Sequence, residues 1–138
     1  MVALNVFNHP NVGPFMAARL IERLTTSNPS PQYVERVARV FNDNGRGERG
    51  DLGAVVRAIL LDPEARSTAG AASGKIKEPL LRLTQLFRAY NATSQSGRYP
   101  LGFAYIVLGQ GPLQSPSVFN FFSPSYAPPG EVRDLGYV

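Results

Sequence analysis

The 138 residues include no cysteine and a single histidine. Disulfides, thiol nucleophiles, iron–sulfur clusters and thiolate zinc sites are therefore excluded, as is a metal site built mainly from imidazoles within one chain. Long apolar runs are also missing. The longest, residues 54–61, is interrupted by Arg57 and falls far short of the roughly 20 apolar residues that a membrane-spanning helix requires. No membrane partner is expected. Residues 1–10 lack both the basic start and the apolar stretch of a secretion signal. Reducing and oxidising compartments both accept a cysteine-free protein, so localisation stays open, including export as part of a longer parent.

Charged residues are sparse, at 17%, and unequal in sign. Twelve arginines and two lysines oppose ten carboxylates, leaving a net charge of +4, a surplus that raises the question of an acidic partner. Its distribution argues against nucleic acid. Arg19 and Arg23 flank Glu22, Arg36 and Arg39 flank Glu35, and mixed signs of this kind describe solvated helix faces. With 43% hydrophobic residues and enough length to bury roughly 68% of the unfolded surface, the chain is expected to fold as one domain over residues 1–138.

The periodicity predicts an all-α fold of about five helices in a compact bundle, followed by an irregular tail rich in proline, glycine and aromatics. The first helix opens at Asn11-Val12-Gly13-Pro14, with Phe15, Met16, Leu20, Ile21 and Leu24 facing inward. Ser30 is placed to cap a second helix that begins at Pro31 and turns Tyr33, Val34, Val37, Ala38 and Phe41 inward, packing antiparallel on the first. Residues 42–50 are polar and glycine-rich, hence a loop. Asp51 then caps a third helix carrying Leu52, Val55, Val56, Ile59 and Leu60, closed by Asp62-Pro63, with a short turn over residues 64–66. After a small-residue linker at 67–74, a fourth helix follows Pro79 with Leu80, Leu83, Leu86, Phe87 and Tyr90 inward, and residues 101–108 form a fifth. Beyond Gly109 the chain reads as a strap whose aromatics, Phe119, Phe121 and Phe122 among them, plug the helical core.

Several strings resemble the bacterial family named domain of unknown function 1800. They are Phe7-Asn8-His9-Pro10-Asn11-Val12, residues 20–31, Arg49-Gly50-Asp51-Leu52 with residues 58–65, residues 74–79 with Leu81-Arg82, and Pro112-Leu113 followed by Pro116-Ser117-Val118-Phe119-Asn120-Phe121-Phe122. Together they span about residues 5 to 130, and the last is the most specific. Family members run several times longer, so the resemblance implies a C-terminal fragment of a larger bacterial protein. Residues 132–138 fall outside it. The resemblance brings no activity and no catalytic residues with it.

Motifs with chemistry almost fit and then fail. A calcium loop over residues 42–51 needs acids at its first, third and fifth positions before a glycine at the sixth. Taking Gly45 as sixth puts Val40 first, and taking Gly47 as sixth puts Arg46 fifth. Gly70-Ala71-Ala72-Ser73-Gly74-Lys75 has three residues between its glycines where a phosphate loop has four, and Ile76 follows where a hydroxyl is needed. Arg49-Gly50-Asp51 matches an adhesion tripeptide, but an aspartate before an apolar run reads as a helix cap. Ser73 lacks the glycine two residues earlier that a nucleophile elbow requires.

His9 is the side chain that titrates near neutrality unaided. As a general base oriented by Asp43, Glu48, Asp51 or Asp62, with Asp43 and Asp51 preferred, and activating a serine or a water, it would serve a hydrolase of esters or lactones, such as acyl lactones. Asp43, Glu48 and Asp51 are the candidate ligands if calcium assists, and no other cofactor is expected. The reading placed first is a packing or interaction module whose partner is the remainder of a longer parent or a second copy. The hydrolase is the alternative.

Overall fold

The computed structural model describes residues 2–67, 74–123 and 126–135. The linker at 68–73, including Ser73 and most of the near-miss phosphate loop, and residues 136–138 of the tail lie outside the described residues. Among the described residues the chain is helical and has no strand: α1 (Val2–Asn8), α2 (Val12–Leu24), α3 (Pro31–Asn42), α4 (Leu52–Leu61), α5 (Pro63–Arg66), α6 (Pro79–Ala89), α7 (Gly102–Leu108) and α8 (Glu131–Asp134). The all-α expectation holds, but eight helices replace about five. Those added are α1, α5 and α8, each seven residues or fewer, too short for periodicity to reveal.

The chain divides into two compact units, one of Met1–Ile76 with Pro128–Val138, the other of Lys77–Ala127. In the first, α2, α3 and α4 enclose the core. Ala17 and Ile21 enter it from α2, Tyr33, Val37, Ala38 and Phe41 from α3, and Val55 and Ile59 from α4, all buried. The pairing of α2 with α3 is antiparallel, because Gly13 at the start of α2 lies against Asn42 at the end of α3, while Thr25 after α2 meets Tyr33 in the first turn of α3. A Cβ at position 13 would stand 2.7 Å from the Asn42 side-chain oxygen, so glycine sets how closely the helices approach.

Local chemistry fixes the helix ends, at Ser30 and Asp51 as expected and at Asp62 beyond expectation. Tyr33 N–H donates to Ser30 Oγ at 3.1 Å, Ala54 N–H to Asp51 Oδ1 at 3.0 Å and Glu64 N–H to Asp62 Oδ1 at 2.9 Å, each satisfying an orphan first-turn donor. Replacing Asp51 with alanine is expected to lower the melting temperature by a few degrees while leaving the helical circular dichroism unchanged. An unaltered midpoint would remove Asp51 from the capping role.

In the second unit α6 has no fully buried residue, and the buried positions are Ala104, Gln110 and Gly111. Gln110 is an internal cap. Its Oε1 accepts from Leu80 N–H at 3.0 Å and its Nε2 donates to Glu78 Oε2 at 3.1 Å, so the start of α6 is satisfied from 30 residues away in sequence. Within this unit the strap is irregular as expected. Val118 and Phe119 are exposed, Phe122 pairs with Tyr126 at a centroid distance of 4.6 Å, and the tail backbone makes isolated turns such as Asn120 N–H to Ser117 O.

Candidate functional site

The loop 43–51 runs from the C-cap of α3 to the N-cap of α4, and its side chains mostly serve its own shape. Asp43 Oδ1 accepts from the N–H groups of Gly45 and Gly47 at 2.8 and 3.0 Å, the local turn that aspartate favours. Asn44 is the centre. Its amide nitrogen donates to Glu48 Oε2 and to Asp51 Oδ2, both at 2.8 Å, and its oxygen accepts from Arg46 and Glu48 N–H. Arg46 adds ion pairs to Glu48 at 3.7 Å and Asp51 at 3.4 Å. The Ala54 N–H, then Asn44, hold the Asp51 carboxyl below the usual aspartate range.

Glu48 and Asp51 are thus brought together, but across a neutral amide and beside a guanidinium, while the bonded Asp43 oxygen faces the glycine turn. Among the described residues no three His, Asp or Glu side chains converge closely enough to hold a metal ion. This donor arrangement does not fit a calcium cage, which wants several oxygens on one centre and no cation among them. The adhesion tripeptide is likewise engaged internally, since Asp51 caps α4 and Arg49 clamps α1.

His9 lies in the turn between α1 and α2. Its Nδ1 accepts from Asn11 N–H at 3.2 Å, the arrangement expected of a histidine near a helix start. An open groove beside it is lined by Val2, Asn5, Val6, Asn11, Val12 and Phe15, with no carboxylate or serine among them. No hydrogen bond or ion pair among the described residues joins His9 to Asp43, Glu48 or Asp51.

The densest polar cluster lies elsewhere, where α3 meets the α4–α5 junction. Asp62, with its side chain 5% exposed, accepts two parallel hydrogen bonds from Arg36, Nε to Oδ2 at 2.7 Å and NH2 to Oδ1 at 2.8 Å, the fork geometry that makes such pairs strong. Arg36 also approaches Glu64 at 3.7 Å and stacks 5.7 Å from the Tyr33 ring centroid. Glu64 accepts from Ser30 N–H at 2.8 Å and from Ser30 Oγ. Below them Tyr33 O–H donates to Ile59 O at 2.7 Å and lies 3.3 Å from Thr25 Oγ1. Arg36 holds the Asp62 carboxyl below its usual range, and burial pushes the Tyr33 phenol up.

A family model described as "Protein of unknown function (DUF1800)" matches residues 2–135. The chain belongs to the DUF1800 family. No curated protein and no solved structure matches it. The family model therefore takes in both units, the loop, His9 and the Asp62 cluster, and assigns a role to none of them.

In this DUF1800 chain the sequence offers Asp62 as an orienting partner for His9 and does not reveal its pairing with Arg36, which reads as part of a solvated face. The available signal was the string Asp62-Pro63-Glu64, an aspartate cap directly before a proline-led turn. Such a cap anchors two helix ends and presents a spare oxygen to an outside donor. Chemically the cluster has no imidazole and no thiol, and its serine hydroxyl is committed to a carboxylate. It is built to hold α3, α4 and α5 together.

Proposed function

We propose that this DUF1800 chain acts as a packing or interaction module of a larger bacterial protein, and that its work is done by apolar surface. One observation carries the reading. Between Arg98 and Glu131 the sequence has no charged residue, and within that stretch α7 presents Ile106 and Val107 at 83% and 72% exposure, with Phe103, Tyr105, Leu113, Val118 and Phe119 also exposed. So many large apolar side chains exposed within one charge-free stretch are uncommon on proteins that work alone and suit surface that another polypeptide covers. A buried charge without a partner is costly, so a charge-free face suits an apolar contact.

With nothing else to cover it, such surface associates with itself. Light scattering on the 138-residue chain is expected to show concentration-dependent oligomers, reduced by Ile106→Asp combined with Val107→Asp. A strict monomer at high concentration would overturn the reading. The alternative is a small hydrolase of esters or lactones, favoured by the placement of His9 on an open apolar groove. The module reading expects no turnover of activated esters or acyl lactones, and hydrolysis that disappears in His9→Ala would favour the enzyme instead. Among the described residues no helix is long and apolar enough to cross a membrane.

A further inference from the structure

Helix α1 contributes no buried residue, and Val2, Leu4 and Val6 on it are largely exposed. Burial of its own side chains does not account for its position. What holds it is Arg49, from the loop before α4. The Arg49 guanidinium donates through Nε to Phe7 O and through NH2 to His9 O, each at 3.2 Å, supplying a partner to the Phe7 carbonyl in the last turn of α1 and a second one to the His9 carbonyl, which also accepts from Val12 N–H at 3.0 Å. The same guanidinium lies over the rings of Phe7 and Phe41, at 5.6 and 5.1 Å from their centroids, and is itself fixed by Asn42 Oδ1. Phe7 completes the clamp. Its ring sits 6.1 Å from that of Phe41 and lies where a Cβ on Gly50 would come within 2.7 Å of it, at a residue whose φ of +82° also favours glycine.

We infer that α1 is a latch over Phe41, held by Arg49 and Phe7, that opens on the His9–Asn11 turn while the α2–α4 core stays folded. Three features support local opening: no fully buried α1 side chain, a short helix, and a side-chain hydrogen bond to its backbone that comes from the single guanidinium of Arg49. All eight buried core residues come from α2, α3 and α4, so opening of α1 removes none of them and uncovers one, Phe41. Opening uncovers the ring of Phe41, now 3% exposed, and the backbone at Gly50. This inference is independent of the association proposed for α7.

Hydrogen exchange on the 138-residue chain, read by mass spectrometry, tests it. In the unmodified protein α1 amides are expected to exchange faster than those of α3 and α4. In Arg49→Ala they should speed up by about tenfold or more, the change that follows loss of a hydrogen bond to a charged group, with α3 and α4 peptides unchanged. Phe7→Ala, which alters α1 itself and leaves every core residue in place, should do the same if Arg49→Ala fails to fold. Unchanged α1 exchange in the substituted proteins would overturn the inference, as would equal acceleration in α1, α3 and α4, which would make the opening global.

Discussion

Tyr33→Ala is expected to bring the first unit close to unfolding at room temperature, whereas Tyr33→Phe leaves it folded but weaker. Tyr33 is the largest fully buried side chain of the core, and removing a buried aromatic ring typically costs about 3–5 kcal/mol through lost transfer energy and the cavity left behind. Against a total stability of about 5–15 kcal/mol for a domain, that is a large fraction. The phenylalanine variant keeps the ring and loses the hydroxyl's two hydrogen bonds, to Ile59 O at 2.7 Å and with Thr25 Oγ1 at 3.3 Å, while Ile59 O retains the Asp62 N–H at 3.4 Å. Each such bond contributes about 0.5–1.5 kcal/mol net. Urea unfolding of the three proteins should therefore give midpoints in the order wild type, Phe, Ala. An alanine variant within error of wild type would remove Tyr33 from the centre of the core.

The same residue sets an alkaline limit. Burial raises the Tyr33 pKa, so the phenol stays protonated in the folded protein at a pH where an unfolded tyrosine, with a pKa near 10, ionises. Its contribution is fully present below about pH 10 and is lost as pH rises through the higher folded value. Tyr33→Phe should flatten the fall in stability above that pH.

What the sequence revealed and what it hid divide along the distance over which each interaction acts. The caps Ser30 and Asp51 were legible because each bonds an N–H three residues ahead. The helices α2, α3 and α4 were legible because periodicity marks an inward face. Periodicity does not say how wide the covered strip is, which is why Phe15, Leu24, Leu52 and Leu60, expected inside, are exposed. Three packed helices can cover only part of each apolar stripe. Helix α1 was hidden because its anchor, Arg49, lies 42 residues from the Phe7 carbonyl it bonds. The pairing of Arg36 is hidden in the sequence because a nearer acid, Glu35, stands beside it. In the structure Glu35 pairs with Arg39 one turn on, and Arg36 reaches 26 residues ahead to Asp62. His9 and the loop carboxylates had the right chemistry for a site, yet composition places no two side chains together.

Asp62→Ala is expected to cost about 2 kcal/mol at neutral pH, combining loss of an N-cap, typically about 1 kcal/mol, with loss of a forked ion pair. The figure lies below the 3–5 kcal/mol typical of breaking a buried pair because the partner left behind, Arg36, is 45% exposed and can be rehydrated. The reverse substitution, Arg36→Met, should be the more harmful at pH 7, since it strands the Asp62 carboxylate, 5% exposed, with the Glu64 N–H as its remaining charge-stabilising donor. Acid separates the two. Arg36 lowers the folded pKa of Asp62, so the stability this group contributes is fully present above the unfolded value of about 3.9 and is lost as pH falls through the lower folded one. Wild type should therefore weaken steeply below about pH 4, and Asp62→Ala less steeply, because the titrating group is gone. In Arg36→Met the desolvated carboxyl gains by taking up a proton, so its deficit relative to wild type should shrink as pH falls. Thermal melts of the three proteins across pH 3 to 7 would show this as converging curves. Parallel curves would mean that the Arg36–Asp62 pair contributes nothing to the stability of the α3–α5 junction.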